Sequence, residues 1–157
     1  MGMHQIERQF TRIGARAKIH PPVVNRWTKV EGVSIDIGND ADGEFFDISV
    51  ERPVLAETRV LDVQPSLRHL LLMSDQNDGK HKLLCGHDER HWFVAAVPER
   101  AAVSTVKTAF EALKPPAVRS LENRLGVKPR KRNRRRNEAF VRQGEWFFVP
   151  VENPRLV

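Results

Sequence analysis

The fold is decided by residues 69–97, which read HLLLMSDQNDGKHKLLCGHDERHWFVAAV. Residues 69–73 form a short apolar run, which is typical of a strand that is buried on both faces. Residues 75–79 are turn-forming, and residues 80–90 and 92–97 extend the pattern as two further strands. The segment therefore predicts an antiparallel meander of three strands.

A β-hairpin is predicted before this meander. Residues 33–37 alternate between apolar and polar side chains, residues 38–43 have turn chemistry, and residues 45–50 resume the alternation. Residues 54–63 also look extended, and Pro65 ends that segment because proline cannot continue a strand ladder.

The N-terminal segment has two readings. Residues 10–19 alternate from Ile13 onward, which predicts a half-buried strand. A helix through Ile6, Phe10, Ile13 and Ala17 is the alternative, and Gly14 weakens it because glycine disfavours helices.

Helical periodicity begins only after Pro98, with apolar residues three and four positions apart up to Leu113. A second short helix is predicted over residues 117–125, and residues 140–149 resemble a hairpin. The predicted fold class is α+β: a mostly antiparallel sheet of meander and hairpins, a helical pair near residues 102–125, and a C-terminal hairpin.

Length and composition predict a soluble, cytoplasmic protein. The 157 residues include one cysteine, so no internal disulfide can form. The chain contains no apolar run of about 18 residues, and its N-terminus lacks the apolar core of a secretory signal. We expect an α+β globular domain over residues 1–127, a basic arm or loop over 128–137, and a C-terminal hairpin over 138–157 that packs on the same domain.

The net charge of +6 is concentrated at one end of the chain. Residues 1–127 hold 17 basic and 17 acidic side chains, whereas residues 128–157 hold 9 and 3, a difference of +6. We call residues 128–137 the basic arm. Its seven cations are Lys128, Arg130, Lys131, Arg132, Arg134, Arg135 and Arg136.

Seven like charges this close repel one another, which predicts a solvated loop that attracts a polyanion. Arginine forks fit phosphate oxygens and stack on bases. Arg142 and Trp146 follow the arm, and cations beside aromatic rings are typical of single-stranded nucleic-acid sites. The leading hypothesis is therefore a small basic nucleic-acid-binding protein that contacts phosphates with the arm, Arg142 and Trp146. RNA is favoured over DNA as its partner, and no membrane is expected. Strand alternation further predicts that Trp146 and Phe148 point one way and Phe147 the other.

Residues 81–92 concentrate side chains that are capable of chemistry. If this segment is extended, Cys85, His87, Glu89 and His91 share one face. Thiolate and imidazole are zinc ligands, so Cys85, His87 and His91 are candidate ligands, and His69 on the preceding strand could add another.

A turn over residues 88–90 would support different chemistry and would break the metal row. His87, Glu89, Arg90 and His91 could then act as a metal-free acid–base site in a hydrolase or nuclease-like enzyme. A polar loop whose histidines meet only water is a third interpretation. A further alternative for the whole chain is an interaction protein whose arm meets an acidic partner. Phosphate-loop and dinucleotide-binding motifs are absent from the sequence.

Overall fold

The computed structural model describes residues 1–23, 32–76, 79–98 and 102–150. Within these ranges the chain forms mostly antiparallel sheets, four α-helices and a C-terminal strand hairpin, which confirms the predicted α+β class. Among the same residues, no helix has the length and apolar character needed to cross a membrane.

The first sheet contains the predicted hairpin. Strands β2 (Val33–Asp40) and β3 (Gly43–Val50) pair antiparallel, and β1 (Ala17–His20) pairs parallel to β3 on its other side. A helix, α1 (Met3–Arg12), precedes this sheet.

The prediction of a strand over residues 10–19 is wrong for the first half of that range. Ile6 and Phe10 lie on one face of α1 and are almost completely buried, so the helical alternative holds as far as Arg12. Gly14 follows the helix with a φ of +78°, a conformation that glycine adopts without steric cost. The helix therefore ends before Gly14, and the strand begins only at Ala17.

The second sheet is the meander, and it has four strands rather than three. After a short helix α2 (Arg52–Ala56), the strands β4, β5, β6 and β7 pair in chain order, and every pairing is antiparallel. Their bounds are Thr58–Gln64, His69–Gln76, Gly79–His87 and Trp92–Ala96. Residues 54–56 belong to α2 and are not extended, because Pro53 stands at the first turn of a helix. Of the predicted turn at 75–79, residues 77–78 lie outside the described residues.

Strand β5 is the centre of the molecule and is buried on both faces, as its apolar run predicts. Leu70 and Leu72 pack into a core shared with α1 and the first sheet. Leu71, on the opposite face, packs with Leu84 and Phe110 into a second core. The meander is therefore a middle layer, covered on one side by the first sheet and on the other by a helix.

The C-terminal third holds both predicted helices and the predicted hairpin. Helix α3 (Val106–Leu113) begins at Thr105, whose side chain accepts a hydrogen bond from the Thr108 amide. Helix α4 (Pro116–Arg124) follows directly, and β8 (Val141–Gln143) and β9 (Trp146–Phe148) form the hairpin. A third small core joins α4 to the hairpin; its buried members are Val118, Val127, Ala139 and Phe140. Residues 151–157 of the predicted C-terminal segment lie outside the described residues.

Candidate nucleic-acid interface

The basic arm is an ordered surface loop that is fixed at both ends. Val127 precedes it and Ala139 follows it, and both are buried in the third core. Within the arm, Pro129–Lys131 form a single 3₁₀ turn. Near its end, the Arg142 amide donates a hydrogen bond to the Arg135 carbonyl oxygen over 2.6 Å. The crowded charges therefore occupy a defined place on the domain surface.

A buried ion pair supports the arm from below. Lys114 Nζ lies 3.0 Å from Glu122 Oε1, and both side chains are 1% exposed. Lys114 Nζ also donates to the Arg132 carbonyl oxygen over 2.7 Å. A buried charge is tolerated when it is paired and hydrogen-bonded, and both conditions hold here. Lys114 therefore links α3, α4 and the backbone of the arm through one ammonium group.

Three of the seven cations in the arm are engaged by neighbouring residues. They are Lys131 with Glu138 at 3.0 Å, Arg132 with Asn123 at 2.9 Å, and Arg135 with Glu89. These contacts partly neutralise the arm and hold its backbone in place.

The other four cations in the arm are exposed. In the ranges that the structure describes, none of them has a carboxylate within ion-pair distance. They are Lys128, Arg130, Arg134 and Arg136. Because exposed, unpaired ammonium and guanidinium groups keep their full donor sets, these residues are the cations that can hold phosphate.

The sequence predicts Arg142 as a surface contact, but the structure buries its side chain. It is only 5% exposed, its guanidinium carbon lies 4.3 Å from the centre of the Phe110 ring, and it donates to the Gly144 carbonyl oxygen over 2.9 Å. Burial lowers the pKa of Arg142 to about 10. Arg142 points inward because β8 alternates, so it contributes charge from beneath the surface.

Two aromatic side chains of the hairpin face solvent. Trp146 is 69% exposed and Phe148 is 54% exposed. Phe147 points the other way and packs against Phe140, with ring centres 4.9 Å apart. The predicted alternation of these three residues is confirmed, and Trp146 is available to stack on a base.

A cleft of about 790 Å³ lies between the basic arm and the turn that joins β6 to β7. We call it the arginine cleft. It is lined by Ser66, Leu67, His69, His87, Asp88, Glu89, Phe110, Arg130, Asn133, Arg134, Arg135, Arg136 and Arg142. Five arginines face two carboxylates in this lining, so its balance of charge favours an anion.

A smaller depression of about 330 Å³ adjoins the cleft. Trp146 lines it, together with residues 88–94 and 143–145. Asp88, Glu89 and Arg135 line both hollows, so the exposed tryptophan and the arginines belong to one continuous surface.

His69 lines the arginine cleft and is 4% exposed. Its Nδ1 is hydrogen-bonded to the Leu67 carbonyl oxygen, and because a carbonyl only accepts, Nδ1 carries the proton. Burial lowers the pKa of His69 to about 4, so the ring is neutral at pH 7 and its Nε2 is an acceptor. Among the described residues this Nε2 has no hydrogen-bond partner, and the same is true of Asn133 Oδ1 in the same cleft.

The His69 ring is held by three neighbours. Phe93 and Phe110 contact it edge to face, with ring centres 5.6 and 5.0 Å away. Gly86 lies opposite on β6, where a Cβ atom would stand 2.1 Å from His69 Cδ2 and 2.5 Å from Nε2. The ring therefore occupies the space that a side chain at position 86 would take.

The row of metal ligands predicted for an extended strand does not form. β6 ends at His87, and the Asp88 amide donates to the His91 carbonyl oxygen over 3.1 Å, which closes a turn. Cys85 lies in the first core, fully buried, and burial raises the pKa of its thiol. Within the described ranges, no group of three or more His, Cys, Asp or Glu residues is placed to hold a metal. These residues do not fit zinc.

Three of the four candidate acid–base residues, Glu89, Arg90 and His91, line the smaller depression, whereas His87 does not. His87 lines the arginine cleft, where its ring contacts Trp92 at 4.7 Å and burial lowers its pKa. Arg90 and His91 line the smaller depression instead, and His91 Nδ1 lies 3.3 Å from Glu44 of the first sheet. Glu89 pairs with Arg135. The turn thus leaves His87 outside the depression that the other three residues line, and Glu89 is engaged by an arginine.

Comparison of the chain with protein-family models, with curated proteins and with solved structures finds no match in any of the three. Function is therefore inferred from the geometry of the interface alone.

Proposed function

We propose that this protein binds single-stranded RNA on the surface formed by the basic arm and the exposed aromatic residues of the C-terminal hairpin. The observation that carries the proposal is the adjacency of Trp146 to the arm: Arg135 lines both the arginine cleft and the depression beside Trp146. A single strand offers phosphates and unstacked bases, and each has a partner on this surface.

The exposed cations account for affinity. Each cation that neutralises a phosphate releases a condensed counterion, so binding weakens as salt increases. With the four exposed cations in contact, we expect the logarithm of the binding constant to fall against the logarithm of salt with a slope of about −3.

The exposed rings favour nucleic acid over an acidic protein. An acidic polypeptide would satisfy the arginines but has no base to place against Trp146, which is 69% exposed. Base–aromatic stacking is tolerant of sequence, so we expect modest sequence preference. The hydrolase interpretation has no comparable support, since His87 lies outside the depression that Glu89, Arg90 and His91 line, and Glu89 pairs with Arg135.

The test compares two triple variants with the same net charge. Arg130, Arg134 and Arg136 are changed to Gln in one variant, and Arg8, Arg59 and Lys107, exposed residues of other elements, are changed to Gln in the control. Titration with a fluorescent oligouridine of about twelve nucleotides should show a loss of at least about 30-fold for the arm variant and a shallower salt slope. Equal affinities of the two variants would contradict the proposal, because binding would then follow net charge alone.

A further inference from the structure

We propose that the depression beside Trp146 is a subsite for a guanine base, which stacks on the Trp146 ring while the Arg90 guanidinium and the Glu145 carboxylate bind its edges. This inference rests on the proposed RNA binding and deepens it, because it assigns a preferred base to one position of the strand. Elsewhere on the surface, stacking and phosphate contacts remain tolerant of sequence.

The depression lies between two turns that are fastened together. The turn between β6 and β7 is closed by the hydrogen bond from the Asp88 amide to the His91 carbonyl oxygen. The turn between β8 and β9 meets it at Gly144, whose amide donates a hydrogen bond to the Asp88 carboxylate. The backbone segments that carry the side chains of the depression are therefore held next to each other.

Two charged side chains of the depression have no protein partner. Arg90 comes two positions after Asp88, and Glu145 directly follows Gly144, so both stand close to the contact between the turns. Both side chains line the depression and are exposed. Among the described residues, neither has a hydrogen-bond or ion-pair partner. A ligand in the depression therefore meets one uncommitted guanidinium group and one uncommitted carboxylate.

The balance of charge in the depression disfavours a phosphate. Its lining holds three carboxylates, those of Asp88, Glu89 and Glu145, against the guanidinium groups of Arg90 and Arg135. The arginine cleft has the opposite balance, with five arginines and two carboxylates. A strand that occupies both hollows therefore places its phosphates in the arginine cleft and an uncharged part, a base, in the depression.

The walls and the size of the depression suit a flat aromatic ligand. Trp146 contributes an exposed ring, and Trp92, Phe93 and Val94 of β7 add further apolar surface. The volume is about 330 Å³, which is near the lower end of the range of about 300–1,000 Å³ for small-molecule pockets. The depression therefore has room for one base and not for a longer segment of the strand.

Guanine is the base whose edges match both uncommitted side chains. Its O6 and N7 atoms are neighbouring acceptors, which a guanidinium group binds with two hydrogen bonds. Its N1–H and N2–H groups are neighbouring donors, which a carboxylate, as a pure acceptor, binds in the same way. No other standard RNA base presents two neighbouring donors on one edge. Because the two pairs lie on different edges of the base, Arg90 and Glu145 can bind guanine at the same time.

The test uses RNA heptamers that differ only in the central base and have uridine at every other position. Their lengths and charges are equal, so the phosphate contacts cancel when affinities are compared. We expect the native protein to bind the guanosine heptamer at least about fivefold more tightly than those with adenosine, cytidine or uridine. Equal affinity for all of them would overturn the subsite while leaving the proposed function standing. Failure of the native protein to bind any heptamer or the longer oligouridine would instead refute the proposed function.

Single-atom changes in the central base identify the partner of each edge. Inosine lacks the N2 amine of guanosine, and 7-deazaguanosine lacks the N7 acceptor. In the native protein, both replacements should weaken binding several-fold. In Glu145→Ala, inosine should bind as tightly as guanosine while 7-deazaguanosine still binds more weakly. Arg90→Ala should show the reverse pattern, which a merely structural role of either residue would not produce.

Two control variants have the same change in charge at exposed positions of other elements. They are Arg8→Ala, on α1, and Glu51→Ala, before α2, where the glutamate side chain makes no capping hydrogen bond. Both should keep the preference for guanosine and its dependence on N2 and N7. A preference that survives unchanged in Arg90→Ala and Glu145→Ala, or that the controls lose to the same extent, would overturn the assignment of these two side chains.

Discussion

Arg135 of the basic arm forms an ion pair with Glu89 of the turn between β6 and β7, 46 positions earlier in the chain. Both residues line the arginine cleft, and their contact places the arm beside the turn. Glu89 is 59% exposed, so solvent screens the pair and its contribution to stability is small. Its main consequence is electrostatic, because the Glu89 carboxylate neutralises one of the arginines that face the cleft.

Replacing Glu89 with Gln should therefore strengthen RNA binding. The change removes a negative charge from the cleft and releases Arg135, so we expect affinity for oligouridine to rise several-fold and the salt slope to steepen by about one contact. The free energy of unfolding should change by less than about 1 kcal/mol. Glu51→Gln, an exposed position at the start of α2, is the control of equal charge. Weaker binding by Glu89→Gln would show that the ion pair is needed to shape the site.

Replacing Trp146 with Ala should weaken RNA binding without altering its salt dependence. Loss of one stacked base costs about 1–3 kcal/mol, and the phosphate contacts remain. Trp146→Phe keeps an aromatic surface and should retain most of the affinity. Fluorescence titrations at several salt concentrations give both quantities. If the affinity of Trp146→Ala equals that of the native protein, bases do not stack on this ring.

Replacing Lys114 with Met should destabilise the protein strongly. The substitution leaves Glu122, which is 1% exposed, as a buried charge without its cation. We expect the free energy of unfolding to fall by about 3–5 kcal/mol, as measured in urea. The double variant that also changes Glu122 to Leu should recover much of the loss, because no unpaired charge remains. A loss below about 1 kcal/mol in the single variant would mean that water reaches Glu122.

His69 makes stability depend on pH in a defined window. Its pKa falls from 6.5 to about 4 on folding because of burial, so between these values the unfolded chain binds a proton that the folded chain does not. The contribution of His69 is therefore complete above pH 6.5 and is lost as pH falls toward 4, by an amount that reaches about 3 kcal/mol.

His69→Gln is the reference for that measurement. Subtracting its urea-unfolding curve at each pH removes the effects of other groups. One of these is His20, whose pKa is raised by its hydrogen bonds to Pro21 and Asp47 and which acts in the opposite direction. A difference curve that is flat between pH 4 and 6.5 would show that His69 titrates normally in the folded protein.

Local patterns predicted much of the fold and part of the interface. Alternation identified the β2–β3 hairpin and put Trp146 and Phe147 on opposite faces, because the period of a strand is two. The same rule failed for α1, where residues after Ile13 alternate but Ile6 and Phe10 lie on one helical face. Which pattern dominates near Gly14 depends on the core that covers it, which the local sequence does not contain.

The cleft could not be predicted because distant contacts assemble it. The pairing of Arg135 with Glu89 brings together the arm and the polar turn, which were interpreted from the sequence as separate candidate sites. The orphaned acceptor of His69 depends on packing by Phe93 and Phe110, and in the sequence His69 signalled only a possible additional metal ligand. Cys85, His87 and His91 can share one face only if the strand continues through residues 88–91. The structure has a turn there instead, so they do not share a face.

The close approach of Gly86 to His69 restricts which residues can replace either of them during evolution. Since a Cβ at position 86 would stand 2.1 Å from the imidazole, neither residue can be exchanged freely while the other stays. We expect the two positions to covary among proteins that share this sheet. Glycine should be found at position 86 wherever histidine is found at 69, and a smaller residue should be found at 69 wherever position 86 has a side chain.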